Sequence, residues 1–181
     1  MLLLSTDRLT LRPFRQEDAD DLYAYQSLPE VAKYLYRPPY TPERCAEVIE
    51  ERVTANGTWQ TDGEVLVLAV CPRDEPGVVG EVVLKLASAR ARQVEIGWVF
   101  NPVYAGRGYA TEAARALAVA AFDELHAHRV FARLDAENTA SARICERLGM
   151  RLEARFVEND LDGDRWGTEC VYAALAADLK R

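Results

Sequence analysis

Gly106-Arg107-Gly108-Tyr109-Ala110-Thr111 has the residue types and spacing of an anion cradle. It follows the apolar run Val94 to Phe100 and opens an alanine-rich stretch. Glycines at a strand-to-helix junction leave backbone N–H groups bare at the helix N-terminus. The helix macrodipole adds about half a positive charge there. Phosphate is the usual ligand of such a junction. No Gly-Lys-Ser/Thr follows, so the tract is not a P-loop. A dinucleotide loop is disfavoured for three reasons. Its third glycine is missing, and Asn101 to Ala105 separate the apolar run from the first glycine. Downstream there is one helix and a hairpin rather than a second βαβ half, although Asp135 falls where a ribose-binding acid could sit.

The elements around this loop follow from periodicity and turn chemistry. Leu9 to Phe14 alternates as a strand, with Pro13 suited to an edge or a strand end. A helix is expected over Glu17 to Ser27, and a second from Pro29 to near Tyr36. A third is capped by Thr41 with Pro42 at its first position. Strands are expected at 64–71, 77–86, 94–100 and 129–134. Tyr109 to Leu125 is apolar over most of its circumference and should be a buried helix. His126 and His128 suit its C-terminal end as capping or surface groups. Thr139 to Leu148 is a helix with Gly149 as its C′ residue. Strands 151–158 and 166–174 are joined through Asp162-Gly163, a hairpin signal. The expected fold is α/β: one domain over residues 1–181, with a mixed, mostly antiparallel sheet of about seven strands and helices on both faces.

Strand, short loop, Gly-Arg-Gly-Tyr-Ala-Thr-Glu-Ala, long helix and strand are followed by Glu137-Asn138-Thr139-Ala140-Ser141 and Glu146-Arg147-Leu148-Gly149-Met150. This series resembles the GNAT superfamily of acyl-CoA-dependent N-acyltransferases over nearly the whole chain. The opening Thr6-Asp7-Arg8-Leu9 with Leu11-Arg12-Pro13-Phe14, and the closing Asp162-Gly163-Asp164-Arg165-Trp166, resemble its RimJ/RimL-like branch. The resemblance implies acetyl-CoA as acyl donor and attack by a primary amine in a ternary complex. The amine belongs to a small molecule or a protein N-terminus. It also implies that the pyrophosphate of coenzyme A rests on Gly106, Arg107, Gly108, Tyr109, Ala110 and Thr111. Pantetheine pairs with the strand carrying Trp98, Val99 and Phe100 and takes a hydrogen bond from Asn138, whose other role is an N-cap. Arg107 or Arg147 pairs with phosphate. A homodimer is a further possibility.

Acyl transfer from a thioester needs a neutral amine, donors for the oxyanion and a proton for the leaving thiolate. A backbone N–H near Val99 is the expected oxyanion donor. Many relatives carry a tyrosine acid four residues before Gly149, where this chain has Cys145. Cys145 is then either an unusual acid or a small buried hydrophobe. Ser141, one turn earlier, either donates the proton or touches the cofactor. Glu95 is the preferred base, with Glu81 as alternative; positioning without an essential base is the third possibility. Tyr34, Tyr36, Tyr40, Trp98 and Trp166 are candidates to frame the acceptor. The acids Glu158, Asp160, Asp162 and Asp164 could draw a cation. Cysteine in place of tyrosine keeps open a non-catalytic acyl-CoA-binding sensor or interaction module.

Bulk properties agree with an amine acceptor. The 181 residues carry a net charge of −7, which disfavours nucleic acid as partner and welcomes a cation. No apolar run approaches the ~20 residues of a membrane span, and no signal-peptide pattern precedes Leu9, so a cytoplasmic location is expected. Cys45, Cys71, Cys145 and Cys170 lack Cys-x-x-Cys spacing, and neither a metal nor a disulfide framework is expected.

Overall fold

The computed structural model describes residues 2–54 and 59–180. Strands β2 (Leu9–Pro13), β3 (Val65–Pro72), β4 (Gly80–Ser88) and β5 (Gln93–Phe100) run as an antiparallel series. Strand β1 (Leu4–Ser5) adds one edge. Strand β6 (Arg129–Asp135) lies parallel to β5, while β7 (Arg151–Asp162) and β8 (Arg165–Ala174) complete the order β1-β2-β3-β4-β5-β6-β8-β7. Among the described residues the sheet has eight strands, where about seven are expected. The two-residue β1 is too short to leave a period-2 signature.

Period-2 alternation divides the sheet between two cores. Leu68 and Val70 of β3 face a large core, and Ala69 between them faces a smaller one. Helix α4 (Tyr109–Asp123) fills the large core with Ala113, Ala114, Leu117, Ala118 and Ala121, all fully buried. Its alanines allow the helix axis to lie close to the sheet, and Leu117 alone contributes roughly 1.5–3 kcal/mol of burial. Helix α5 (Thr139–Leu148) packs on the same face. On the other face lie α1 (Ala19–Gln26) and α3 (Pro42–Thr54). The parallel β5–β6 pair needs a crossover, and α4 supplies it.

Local sequence sets most boundaries. Thr41 Oγ accepts from Arg44 N–H at 3.2 Å, capping α3 as expected. At the end of α5, Met150 N–H reaches Cys145 C=O at 2.9 Å and Gly149 adopts φ +87°, a Schellman end. Two expected helices differ. Residues 16–18 form a separate 3-10 turn before α1, because the buried Asp18 carboxylate turns back to Arg15 N–H and the Arg12 guanidinium. Helix α2 (Pro29–Ala32) is a single turn that stops short of Tyr36, where φ is +49°. His126 lies past the end of α4 with φ +54°. The β7–β8 loop is Gly163-Asp164, with φ +64° at Gly163, the first central position of a II′ turn.

The feature that matters for function is where β5 and β6 part. They pair only from Gln93–Arg129 to Glu95–Phe131. Beyond Glu95, β5 stays with β4 as far as Phe100, and β6 stays with β8 as far as Asp135. The opening along Ile96 to Phe100 is about 16 Å long at strand rise.

Candidate functional site

Two cavities meet at this opening. One, of about 540 Å³, runs from Trp98 and Phe100 along α5 to the glycine loop. The other, of about 260 Å³, lies towards the α1/α3 face and contains Glu95, Gly97, Lys85 and Arg133. Tyr34, Leu35, Trp98, Val99, Asn138 and Ser141 belong to both, so the two spaces join across the split sheet.

The glycine loop forms one end of the larger cleft. Gly106 and Gly108 adopt φ +80° and +82°, a region costing other residues roughly 1–2 kcal/mol. A Cβ on Gly106 would meet nothing within 4 Å; the space above it is open. Gly108 is the N-cap of α4 and accepts from Glu112 N–H at 3.1 Å. The N–H groups of Tyr109, Ala110 and Thr111 therefore precede the first helical acceptor, and all three residues line the cleft. Glu112 would oppose an anion here. Its carboxylate is instead engaged by Arg8 Nε at 2.8 Å and Arg8 Nη2 at 2.5 Å, and by Thr6 Oγ at 2.6 Å. Burial would raise the Glu112 carboxyl, but these hydrogen bonds outweigh it and hold the group below its ordinary range. Arg8 also donates from Nη1 to Arg107 C=O at 2.9 Å, tying the loop to the start of β2.

The other cleft wall is α5. Asn138 Oδ1 accepts from Ser141 N–H at 3.0 Å, so the N-cap role is occupied. The Asn138 amide nitrogen remains a donor, and the residue lines both cavities. Ser141 Oγ accepts from the Trp98 indole at 3.1 Å, which leaves its own proton for another acceptor. Arg147 lines the cleft with Arg143, and neither forms an ion pair with a described residue. Sequence reasoning missed Arg143. Its position four residues before Arg147 was the available signal.

Several expected roles are corrected. The Arg107 side chain does not line the cleft: it pairs with Glu75 at 2.5 Å and lies over the Tyr104 ring. Cys145 is fully buried in the large core and lines neither cavity, and burial pushes its thiol up to about 12. Val99 cannot offer its N–H to the opening. Asn101 N–H donates to Val79 C=O, just before β4, at 2.9 Å, and alternation turns Val99 towards β4 as well. The main-chain groups of Trp98 and Phe100 face the opening instead.

Glu81 is buried, held by Arg52 at 2.8 and 2.9 Å and by the Tyr25 hydroxyl at 2.8 Å, and lines neither cavity. Of the aromatics, Tyr34 and Trp98 line both. Tyr40 lies under Arg37, and Trp166 is exposed on the hairpin. The hairpin acids lie outside the lining of both cavities. Tyr36 anchors the wall formed by Tyr34 and Leu35. Its hydroxyl donates to the buried Asp135 carboxylate and packs against Gly167, where a Cβ would collide with it. Burial, then Asp135, raises the Tyr36 hydroxyl above its ordinary range. Asp135 also accepts from Glu137 N–H at 2.7 Å, so it is not a ribose-binding acid. Among the described residues no cluster could hold a metal ion, and no helix is long and apolar enough to cross a membrane.

Comparison with known proteins agrees with this geometry. The family model described as "Acetyltransferase (GNAT) domain" matches residues 8–151. An N-acetyltransferase of Bacillus subtilis, YnaD, is 33% identical over 172 residues, covering 95% of this chain and 96% of its own. The crystal structure of a GNAT-family acetyltransferase from Bacillus anthracis superposes with a TM-score of 0.86 at 32% identity, covering 96% and 98% of the two chains. Spermidine N(1)-acetyltransferase of Escherichia coli is 23% identical over 84% of this chain and 78% of its own. A strand pair opened beside a glycine-built helix N-terminus, and these matches across most of the chain, make it a member of the GNAT acetyltransferase family.

Proposed function

We propose that the protein transfers an acetyl group from acetyl-CoA to a primary amine, by direct attack in a ternary complex. The observation that carries this reading is the junction of the two cavities at Trp98, Val99 and Ser141. Donor and acceptor approach from opposite faces of the split sheet and meet without an intervening protein nucleophile. Coenzyme A occupies the larger cleft, its pyrophosphate on the N–H groups at the start of α4 and its phosphates near Arg143 and Arg147. Pantetheine extends the β5 ladder through Trp98 and Phe100. The Asn138 amide donates to it.

The reaction balances with the groups at hand. The amine nitrogen attacks the thioester carbonyl carbon, a C–N bond forms, and the oxyanion is met by the main-chain N–H of Trp98. The C–S bond then breaks, and the thiolate takes the Ser141 proton, which solvent replaces. Glu95, in the acceptor cavity, takes the amine proton directly or through water. The RimJ/RimL-like opening and closing motifs favour a protein N-terminus or a small amine as acceptor. The relative named for spermidine acetylation supports amines as the acceptor class.

The test pairs a thiol-release assay with thermal unfolding. Acetyl-CoA with an amine panel should give turnover above hydrolysis. Coenzyme A should raise the melting temperature. Stabilisation by coenzyme A with no turnover on any amine would favour the acyl-CoA-binding sensor. Stabilisation by NAD and not coenzyme A would overturn the donor site.

A further inference from the structure

We propose that the acceptor is a primary monoamine carried on an apolar body, and not a polyamine. The inference rests on the acetyl-transfer reading of the site and adds the acceptor's chemistry. Three features of the smaller cavity support it.

The first is its walls. Leu35, Val65, Val83, Val99 and Leu134 line it, with the Tyr34 ring. These side chains gain by covering hydrocarbon and offer a charged chain no hydrogen bonds; the uncharged polar groups of the lining are the Tyr34 hydroxyl, Asn138 and Ser141.

The second is its charge. Among the described residues Glu95 is the only carboxylate in the lining, which also holds the cations Lys85 and Arg133. Lys85 sits directly opposite Glu95 in the β4–β5 register. Arg133 is forked onto Glu169 at 2.9 and 3.0 Å. One carboxylate can pair with one ammonium and accept its proton before attack. A second or third ammonium would find no second carboxylate among the described lining residues, only the neutral Tyr34, Asn138 and Ser141, and would meet Lys85. A buried charge is tolerated only when paired, so a polycation is selected against by its own remaining charges. The hairpin acids Glu158, Asp160, Asp162 and Asp164 lie outside the lining.

The third is Gly97, on β5 between Ile96 and Trp98. Its φ lies outside the left-handed region, and a Cβ would touch only Val83 Cβ, at an ordinary 3.8 Å. Neither backbone conformation nor packing requires glycine here. Its effect is to keep the cavity floor low beside Trp98 and Val99, where an apolar acceptor body would rest.

The experiment measures kcat/KM with acetyl-CoA for phenethylamine, tryptamine and isoamylamine, for a tetrapeptide with N-terminal leucine, and for putrescine, spermidine and spermine. The apolar monoamines or the peptide should exceed every polyamine by about tenfold or more. Transfer to the peptide alone assigns the amine to a protein N-terminus, and transfer to the free amines assigns it to small molecules. Lys85→Glu should narrow the preference over spermidine by about fivefold or more. Gly97→Val should raise KM for the apolar amine by about tenfold while the melting shift given by coenzyme A persists. Spermidine as the best substrate overturns the proposal, as does a Gly97→Val enzyme indifferent in KM. No transfer to any of these amines, with coenzyme A still stabilising the fold, overturns the acetyl-transfer reading and the proposal with it. Loss of the coenzyme A shift in the unmodified protein overturns the underlying reading of the site instead.

Discussion

On the acetyl-transfer reading proposed above, Arg8 positions the donor site, and Arg8→Ala tests how the loop keeps its charge favourable. The Arg8 guanidinium donates twice to the Glu112 carboxylate and once to Arg107 C=O. Glu112 stands in the first turn of α4, where its negative charge would compete with a phosphate for the same field. Charge-assisted hydrogen bonds are worth about 1.5–3 kcal/mol when protected. The Arg8 side chain is 51% exposed and that of Glu112 19%, so solvent screening reduces the set to about 1–2 kcal/mol in total. Removing the guanidinium leaves Glu112 with Thr6 and the Arg8 N–H but no countercharge. If that loss falls on the anion site, KM for acetyl-CoA rises about 5- to 30-fold with kcat nearly unchanged. Titration calorimetry with coenzyme A should show the same loss, shrinking as salt is raised. Arg8→Lys should recover only part of it, because one ammonium cannot fork onto Glu112 and also reach Arg107 C=O. The sharper control is Arg8→Ala with Glu112→Gln. Removing the uncompensated acid should return coenzyme A affinity to within about threefold of the original. A double variant as weak as the single one would refute the electrostatic reasoning, and an Arg8→Ala enzyme with unchanged KM would refute the clamp.

The other outcomes follow from burial and bonding at single residues. Cys145→Ala should keep kcat and cost about 1 kcal/mol in urea unfolding, the price of a small buried hydrophobe. With its thiol pushed up to about 12, Cys145 should resist alkylation at pH 8 in the folded protein, as mass spectrometry of the digest would read. Ser141→Ala should lower kcat about 100-fold if its proton goes to the thiolate; a change confined to KM for acetyl-CoA would reduce it to a cofactor contact. Asp18, Glu112, Glu153 and Asp178 all lie below their ordinary values of 3.8 or 4.5. A lowered carboxylate contributes stability above its unfolded value and loses it as pH falls through the folded one. Unfolding free energy should therefore hold from pH 7 to about 5 and drop below about 4, and a flat profile to pH 3 would contradict the assigned pairs.

What was legible in the sequence is what short-range chemistry determines. Gly106 and Gly108 announce positive φ and a bare helix start, Asn138 and Gly149 bracket α5, and Asp162-Gly163 marks the hairpin. The long β7 edge was read only to Glu158, because the register shift between Phe156 and Asp160 interrupts its alternation. Strand β1 is too short to alternate, though its partners Thr10 and Leu11 are near in sequence, and the 3-10 turn of residues 16–18 depends on Asp18 side-chain bonds that periodicity does not see. Only the resemblance, through its pantetheine-pairing strand, points to the opening between β5 and β6. Nothing in the alternation of Val94 to Phe100 says which neighbour the strand leaves.

The misassigned residues share one cause: sequence spacing fixes a side chain's neighbours on its own element but not the rotation of that element against the rest. Ser141 and Cys145 are four residues apart, so they sit about 40° apart around the helix. The arc of α5 that faces the cleft runs from Ser141 through Ile144 and Arg147 to Arg143, about 160° in the opposite sense. Cys145 lies just past its edge and falls into the core. The same holds on β5, where the Asn101–Val79 bond sets the parity that turns Val99 to β4 and Trp98 to the opening. Arg107 is decided by Glu75, 32 residues away, while Arg143 and Arg147 keep their charge for the cleft. Each choice was between residues of equal chemical promise, and a single long-range contact made it.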